Sequence, residues 1–251
     1  LGVGSSIDEM VDLGYKQVGK GFPVFLHPET NEEYALARKE IKSGQGHRDF
    51  KFIFSPDVTI EEDLSRRDLT INAIAKDDNG RLIDPFNGQT DLKNKVFKHV
   101  SDAFYEDPLR ALRVARFKAQ MPEFQIHNST KEALKTISKT DELSCLSSER
   151  VWAEVVKSLN NNFEEFLTVI KDYGLTRPWF SGLVTIPNFI SDIPEIKWCE
   201  TAEANNFKFA QNLKIPKSFS NQLLMWQKFS EYKINEGINY KINFFSDFSN
   251  N

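Results

Sequence analysis

The sequence predicts an α+β protein, with a small sheet domain over residues 1–100 and helices after it. Three observations carry this. Short strand-like segments with little helix fill the first hundred residues, and residues 32–40 (EEYALARKE) alternate with period two. From Asp102 onward the pattern turns helical, with apolar residues recurring every three or four positions. Neither an internal repeat nor a low-complexity tract interrupts this order, and strands followed by helices are the mark of α+β rather than α/β.

The elements follow in order. Residues 1–4 (LGVG) read as the tail of a strand, and with Leu1 rather than Met at the start an N-terminal fragment boundary is expected. Residues 6–13 (SIDEMVDL) fit a helix, because Ser6 and Glu9 have the spacing of a capping box. Residues 15–19 and 22–28 are strand-like, with Pro23 tolerated at a strand start or edge. In residues 32–40, Tyr34, Leu36 and Arg38 point one way and Ala35 and Ala37 the other. Residues 42–50, with Gly44 and Gly46 among polar neighbours, read as a loop. Thr59 and Glu62 form a second capping box, and Ile60, Leu64, Ile71 and Ile74 recur at helical spacing unless the chain breaks near Asp68. Residues 83–88 (IDPFNG) are a turn and residues 95–100 a last short strand. Four amphipathic helical segments then cover 106–120, 129–143, 147–160 and 161–175. Beyond Thr176 the pattern weakens, interrupted by Pro187, Pro194 and Pro216.

Composition narrows the function. Of 251 residues, 40% are hydrophobic and 27% charged, and 21 phenylalanines supply material for a sizeable core. The net charge of −4 confines any nucleic-acid surface to a local patch. Cys145 and Cys199 have neither metal spacing nor a disulfide framework, which fits a reducing, cytoplasmic setting. No apolar run approaches the roughly 20 residues of a membrane-spanning helix. The four histidines, His27, His47, His99 and His127, lack zinc spacing, and neither a phosphate-binding glycine loop nor a nucleophile motif is present.

Chemistry gathers in residues 106–117 (EDPLRALRVARF). Asp107 followed by Pro108 fits a helix N-cap and first turn. Asp107, Arg110 and Arg113 share one broad helix face, with Arg116 further round. An acceptor beside a guanidinium suits one type of base edge. Cytosine and adenine each offer an amino donor next to a ring-nitrogen acceptor, whereas uracil and guanine offer the reverse. Asp107 with Arg110 would therefore accept C and A and refuse U and G; an i,i+3 salt bridge explains the pair as well. In residues 66–75 (RRDLTINAIA), Arg66, Arg67 and Asp68 suit a triphosphate, or a surface charge pair. In residues 146–156 (LSSERVWAEVV), Ser147 is a helix cap and Glu149 favours the helix N-terminus. Lys131, Lys135 and Lys139, with Arg150 and Lys157, offer cations for tracking an RNA backbone.

Together, VGS near the start, QVGKGFPVFLHPETNEEYALARKE, DVTIEEDLSRRDLTINAIAKDDNG, IDPFNGQTDL, EDPLRALRVARF and LSSERVWAEV resemble the bacterial tRNA nucleotidyltransferases, the CCA-adding enzymes of the class shared with bacterial poly(A) polymerases. The resemblance covers roughly residues 1–180. It implies a polymerase-β-like head with a mixed sheet (1–100), a helical neck for nucleotide recognition and RNA binding (101–176), and a helical body or tail (177–251). It implies transfer of CMP and AMP from CTP and ATP to a tRNA 3′ end, assisted by Mg²⁺, with no membrane or protein partner. Carried over, Arg67, Arg113 and Arg116 contact the incoming nucleotide, Asp107 and Arg110 read its base, and Glu149 and Arg150 support the neck.

The family's glycine-rich phosphate loop and metal-binding DxD pair would lie upstream of Leu1, so no catalytic or metal-binding residue is expected in this chain. Asp49, Asp57 and Asp63 lack the right strand setting. The chain as given is expected to be inactive alone. A His-Asp hydrolase motif is also missing from the last 70 residues. An A-only poly(A) polymerase, or a non-catalytic nucleotide- or RNA-binding remnant, are the other readings of the same residues.

Overall fold

The computed structural model describes residues 5–18, 24–42, 50–54 and 57–236. The opening strand tail, Pro23, the glycine-bearing stretch 43–49 with His47 and Asp49, and the last fifteen residues lie outside the described residues. The chain divides into two compact units, Leu1–Val114 with Met121–Leu146, and Ala115–Gln120 with Ser147–Asn251. The sequence placed boundaries near 100 and 176. The compact units instead divide inside one helix and near Leu146.

In the first unit, helix α1 (Ile7–Asp12) starts on the expected capping box: Ser6 accepts from the Glu9 N–H and Glu9 accepts from the Ser6 N–H. Strands β1 (Lys16–Val18), β2 (Val24–Leu26) and β3 (Glu33–Ala35) form an antiparallel sheet in that order. Met10, Phe25 and Leu36 are buried together, with Ile7, Tyr15 and Tyr34 packed on them. The period-two segment is split in two. It ends as β3 and resumes as β4 (Arg38–Lys42), which pairs with β5 (Phe50–Phe54) in a separate hairpin.

Helix α2 (Ile60–Ser65) begins on the Thr59–Glu62 capping box and stops at Arg66. Ile71 and Ile74 are therefore not on its stripe; the break near Asp68 that the sequence left open is present. The chain turns at Asp68 and forms a short 3-10 turn, Thr70–Asn72. Hairpin β6 (Ala75–Lys76) with β7 (Leu82–Ile83) leads to α3 (Gly88–Lys93). The turn before α3 has a mechanism beyond its Asn-Gly pair. Asp84 accepts from the Gly88 and Gln89 N–H groups and so caps the helix. Burial would raise the Asp84 carboxyl, but these N–H donors and the Gln89 amide hold it below its ordinary value. Strand β8 (Val96–Phe97) pairs in parallel with β9 (Gln125–Ile126). The unit is completed by the start of α4 (Leu109–Gln120) and by α5 (Asn128–Ser138), whose N-cap is the His127 ring.

The second unit holds the rest of α4, then α6 (Ser148–Leu159), α7 (Phe163–Asp172), α8 (Pro194–Ala204) and α9 (Lys217–Glu236). Its core is rich in aromatic side chains. Edge-to-face and stacked rings run from Phe163 through Phe166, Phe180 and Phe209 to Trp198, Trp152 and Phe219, with neighbouring centroids 4.8–6.4 Å apart. Two prolines read as interruptions are starts: Pro194 is the first residue of α8, and the Pro216 carbonyl accepts from the Ser220 N–H at the head of α9. The buried Lys197 ammonium donates to the Leu159 and Asn161 carbonyls at the end of α6, at 3.2 and 3.0 Å. Cys199, buried beside Glu200, Glu195 and Glu203, has its thiol pushed up to about 12, burial being the main cause.

Gly88 fits because it has no side chain. A Cβ there would sit 2.1 Å from the Thr70 carbonyl oxygen. Gly88→Ala is expected to cost about 2 kcal/mol by forced displacement of α3 from the Thr70–Asn72 turn; a urea-denaturation midpoint unchanged from wild type would refute this close approach.

Candidate nucleotide-binding site

The site is built in the first unit, where the turn after α2 meets the start of α4. The last turn of α2 brings Asp63 and Arg67 together at i,i+4, with Arg67 Nη2 3.1 Å from Asp63 Oδ2. Arg67 keeps 44% of its side chain exposed. Arg66 reaches the other way, and its Nη2 lies 2.5 Å from Glu106 Oε2. The helix then ends, and the extended backbone of Leu69 turns Asp68 inward.

Asp68 is the buried hinge of the arrangement, 6% exposed. Its Oδ1 accepts from the Leu69 N–H at 2.8 Å and from Asn72 Nδ2 at 3.0 Å. Its Oδ2 accepts from Arg113 Nε at 2.7 Å, across 45 residues of sequence. Burial alone would raise the carboxyl. The Arg113 charge, the Asn72 amide and the Leu69 N–H outweigh it and hold Asp68 below its ordinary value. Arg113 donates its Nε edge to Asp68 and stays 35% exposed.

The start of α4 is set by the 3-10 turn Asp102–Glu106. Ser101 caps this turn and donates its hydroxyl to the Ser65 carbonyl at the end of α2. Asp107 Oδ1 accepts from the Leu109 N–H at 3.1 Å, the expected cap, and the Arg110 N–H bonds the Asp107 carbonyl. Arg110 Nη1 donates to the Ala103 carbonyl at 2.7 Å. A main-chain oxygen of the turn thus holds the arginine that stands one helical turn after Asp107. Asp107 and Arg110 are both half-buried.

Of the sequence candidates, Arg66, Arg67, Asp68, Asp107, Arg110 and Arg113 gather in this unit. Arg116, Glu149 and Arg150 belong to the second. Arg116 is buried: its Nε donates to Glu154 and its Nη1 to Gln120, with the guanidinium over the Phe117 ring at 3.8 Å. Glu154, 5% exposed, is the residue that engages it. Glu149 and Arg150 lie exposed in the first turn of α6, where the Ser147 hydroxyl accepts from the Arg150 N–H. The Glu149 carboxyl is held low chiefly by a hydrogen bond to its own N–H at the helix start, and by Ser147. From the same helix, Ser148 accepts from the Lys214 N–H at 2.7 Å.

The sequence reading missed three participants: Glu106, the Ala103 carbonyl and Asn72. Glu106 stands in the EDPLR stretch and was open to inspection; a carbonyl partner leaves no trace in residue identity. Among the described residues, no group of three or more His, Cys, Asp or Glu side chains is placed to hold a metal ion. His27 Nδ1 accepts from the Glu29 and Thr30 N–H groups in a turn, and His127 Nδ1 accepts from the Ser129 N–H as the cap of α5.

A small sheet unit, an arginine-bearing helix opening on an acidic cap, and a helical continuation make an α+β arrangement. Comparison with known proteins gives its family. Residues 13–98 match the model of the poly A polymerase head domain, and residues 123–186 match the probable RNA and SrmB-binding site of polymerase A. The Multifunctional CCA protein of Pseudoalteromonas atlantica is 52% identical over 200 residues, which cover 77% of this chain and 49% of that protein. That of Vibrio vulnificus is 50% identical with the same coverage. The chain belongs to the family of nucleotidyltransferases that share the poly(A) polymerase head, as the CCA-adding proteins do. It spans about half the length of the curated relatives it matches. The fold resembles the Bacillus stearothermophilus CCA-adding enzyme in complex with CTP, with a TM-score of 0.64 at 22% identity over 86% of this chain and 56% of that one. It also resembles the Thermotoga maritima CCA-adding enzyme complexed with tRNA, with a TM-score of 0.60 at 21% identity over 90% and 58%.

Removing Arg113 leaves the Asp68 carboxylate buried without its cation. Arg113→Leu is expected to destabilise the chain by about 3 kcal/mol. The pH dependence follows the sign of the Asp68 shift. A depressed carboxyl adds stability at pH above its unfolded value, and that stability is lost as pH falls through the folded value. Asp68→Asn should therefore flatten the acid limb of a stability–pH curve. An acid limb as steep as that of wild type would count against Asp68 as its source.

Proposed function

We propose that this chain is the nucleotide-selecting and neck part of a CCA-adding tRNA nucleotidyltransferase, which transfers CMP and AMP from CTP and ATP to a tRNA 3′ end and releases pyrophosphate. The observation that carries the reading is the Asp107–Arg110 pair, fixed at the start of α4 by a helix cap and by the Ala103 carbonyl. The relatives are named for CCA addition, and one structural neighbour was solved with CTP.

In this reading Asp107 accepts from the exocyclic amine of C or A, and Arg110 donates to the adjacent ring nitrogen. A carboxylate can accept several hydrogen bonds at once. UTP and GTP would set a carbonyl against Asp107 and an N–H against Arg110, leaving buried polar groups unmatched. Arg67 and Arg113, the more exposed guanidiniums, take the phosphates. Arg66 and Asp68 act as positioning residues. Arg116 braces its helix through Glu154 rather than touching nucleotide. Mg²⁺ belongs to this reaction in the family, but the described residues do not compose its site, so none is assigned to it. The setting proposed is the cytoplasm; no described helix is long and apolar enough to cross a membrane.

Helix α5 supplies the RNA contact. Lys131, Lys135 and Lys139 follow at four-residue intervals on or at the end of that helix, with Lys135 also 3.1 Å from Glu132. Arg150 and Lys157 belong to α6 of the second unit, where Lys157 Nζ lies 3.8 Å from Glu154 Oε1.

Two measurements test this. Equilibrium binding of the four nucleotides should rank CTP and ATP about tenfold or more above UTP and GTP, and Asp107→Ala should erase most of that difference. Equal affinities for all four would sink the proposal. For tRNA, neutralising Lys131, Lys135 and Lys139 together should reduce the log–log salt slope of binding by about 2–3. A slope the same as wild type would exclude α5 as the contact.

A further inference from the structure

The base-reading residues depend on the Asp102–Glu106 turn, and that turn lies on a histidine with no role in the reading above. His99 follows β8 and forms an isolated antiparallel bridge with Leu69, next to Asp68. Its ring contacts two aromatics of the turn, Phe104 at 5.3 Å and Tyr105 at 6.4 Å between centroids. Phe104 is fully buried. On its other side His99 is tied twice to one hydroxyl. Thr130 Oγ accepts the His99 N–H at 2.9 Å and lies 3.0 Å from His99 Nδ1. Thr130 is fully buried in the first turn of α5.

The stereochemistry of that hydroxyl selects a protonation state. It has one proton and already accepts from the His99 backbone. With neutral histidine protonated on Nε2, the hydroxyl donates to Nδ1 and both contacts are satisfied. With imidazolium, Nδ1 becomes a donor, and the hydroxyl must accept twice and turn its own proton away.

Resting on the reading of Asp107 and Arg110 as base readers, we propose that His99 and Thr130 are a positioning pair: neutral His99, locked by the Thr130 hydroxyl, holds the Asp102–Glu106 turn and through it the nucleotide-selecting residues. The turn gives three things to the site: the Ala103 carbonyl for Arg110, Glu106 for Arg66, and the entry of Asp107 into α4. The charged groups facing His99 are Asp102 on the turn, Lys98 on its own strand and His127 at the start of α5. Burial, aided by His127 and Lys98 and opposed by Asp102, keeps the ring below its ordinary value of 6.5. The neutral-state hold is thus complete above about pH 6.5 and fades as pH falls through the lower folded value.

The test uses the full chain with Thr130→Val, Thr130→Ser and His99→Gln. Amide hydrogen exchange read at pH 7 should be about tenfold faster over residues 102–110 in Thr130→Val and His99→Gln, with α7 unchanged and Thr130→Ser close to wild type. The preference for CTP over UTP should weaken in wild type between pH 7 and pH 5, and His99→Gln should remove that pH dependence. Exchange over 102–110 indistinguishable from wild type in both Thr130→Val and His99→Gln overturns the positioning pair; if Thr130→Val fails to fold, His99→Gln decides by the same reading. A wild type that shows no base preference defeats the proposed function instead, and the exchange measurement still judges the pair.

Discussion

The ion pair between buried Asp68 and partly exposed Arg113 is the constraint on which the first unit's site depends. It joins a turn in the sheet-forming half of the sequence to the middle of a helix 45 residues later. A carboxylate taken out of water needs its full complement of partners, and Asp68 has three donors, one from each of Leu69, Asn72 and Arg113. Such a group tolerates little displacement. The turn that carries Arg66 and Arg67 is therefore fixed relative to the helix that carries Arg110 and Arg113.

The surroundings are arranged to keep that turn still. Gly88 lets α3 approach the Thr70 carbonyl, and Thr70 donates its hydroxyl to Asp91 of the same helix. The Thr70 N–H bonds the Lys98 carbonyl, and Leu69 bridges to His99. Ser101 ties the end of α2 to the Asp102–Glu106 turn. From Asp68 to Thr70 the chain is thus held by Arg113, by the Lys98 carbonyl, by the bridge to His99 and by Asp91 of α3. Local capping and long-range packing agree at this place, so the side chains it carries are held in fixed positions.

Much of this was legible in the sequence where the signal is local. The capping boxes at Ser6 and Thr59, the cap at Ser147 and the stripes of α4 to α7 depend on residues three or four apart, and the structure places them as read. The EDPLR and RRD stretches pointed to one another only through resemblance, because the Asp68–Arg113 bond spans a separation that no periodicity reveals. The last third was opaque for a physical reason. Helix α8 buries Lys197, Glu200 and Thr201 alongside Trp198, Cys199 and Ala202, so it shows no apolar stripe against a polar face. Pro194 and Pro216 were read as breaks, although proline's fixed φ suits a helix start as well as a stop.

The arginine ladder of α4 also separates into distinct tasks. Arg110 is held by a main-chain carbonyl of the preceding turn, Arg113 by a buried carboxylate of the first unit, and Arg116 by a buried carboxylate of the second. Three identical side chains at three-residue spacing thus meet three different partners, because successive steps of about 300° turn each one further round the helix axis. The exposed fraction falls along the series from Arg113 to Arg116, at 35% and 8%. A guanidinium nearly sealed against Glu154 is spent on bracing the helix, whereas the one beside Asp68 keeps an exposed edge. The regularity visible in the sequence is real, but its meaning lies in the partner each arginine finds: a turn carbonyl for Arg110, Asp68 for Arg113 and Glu154 for Arg116.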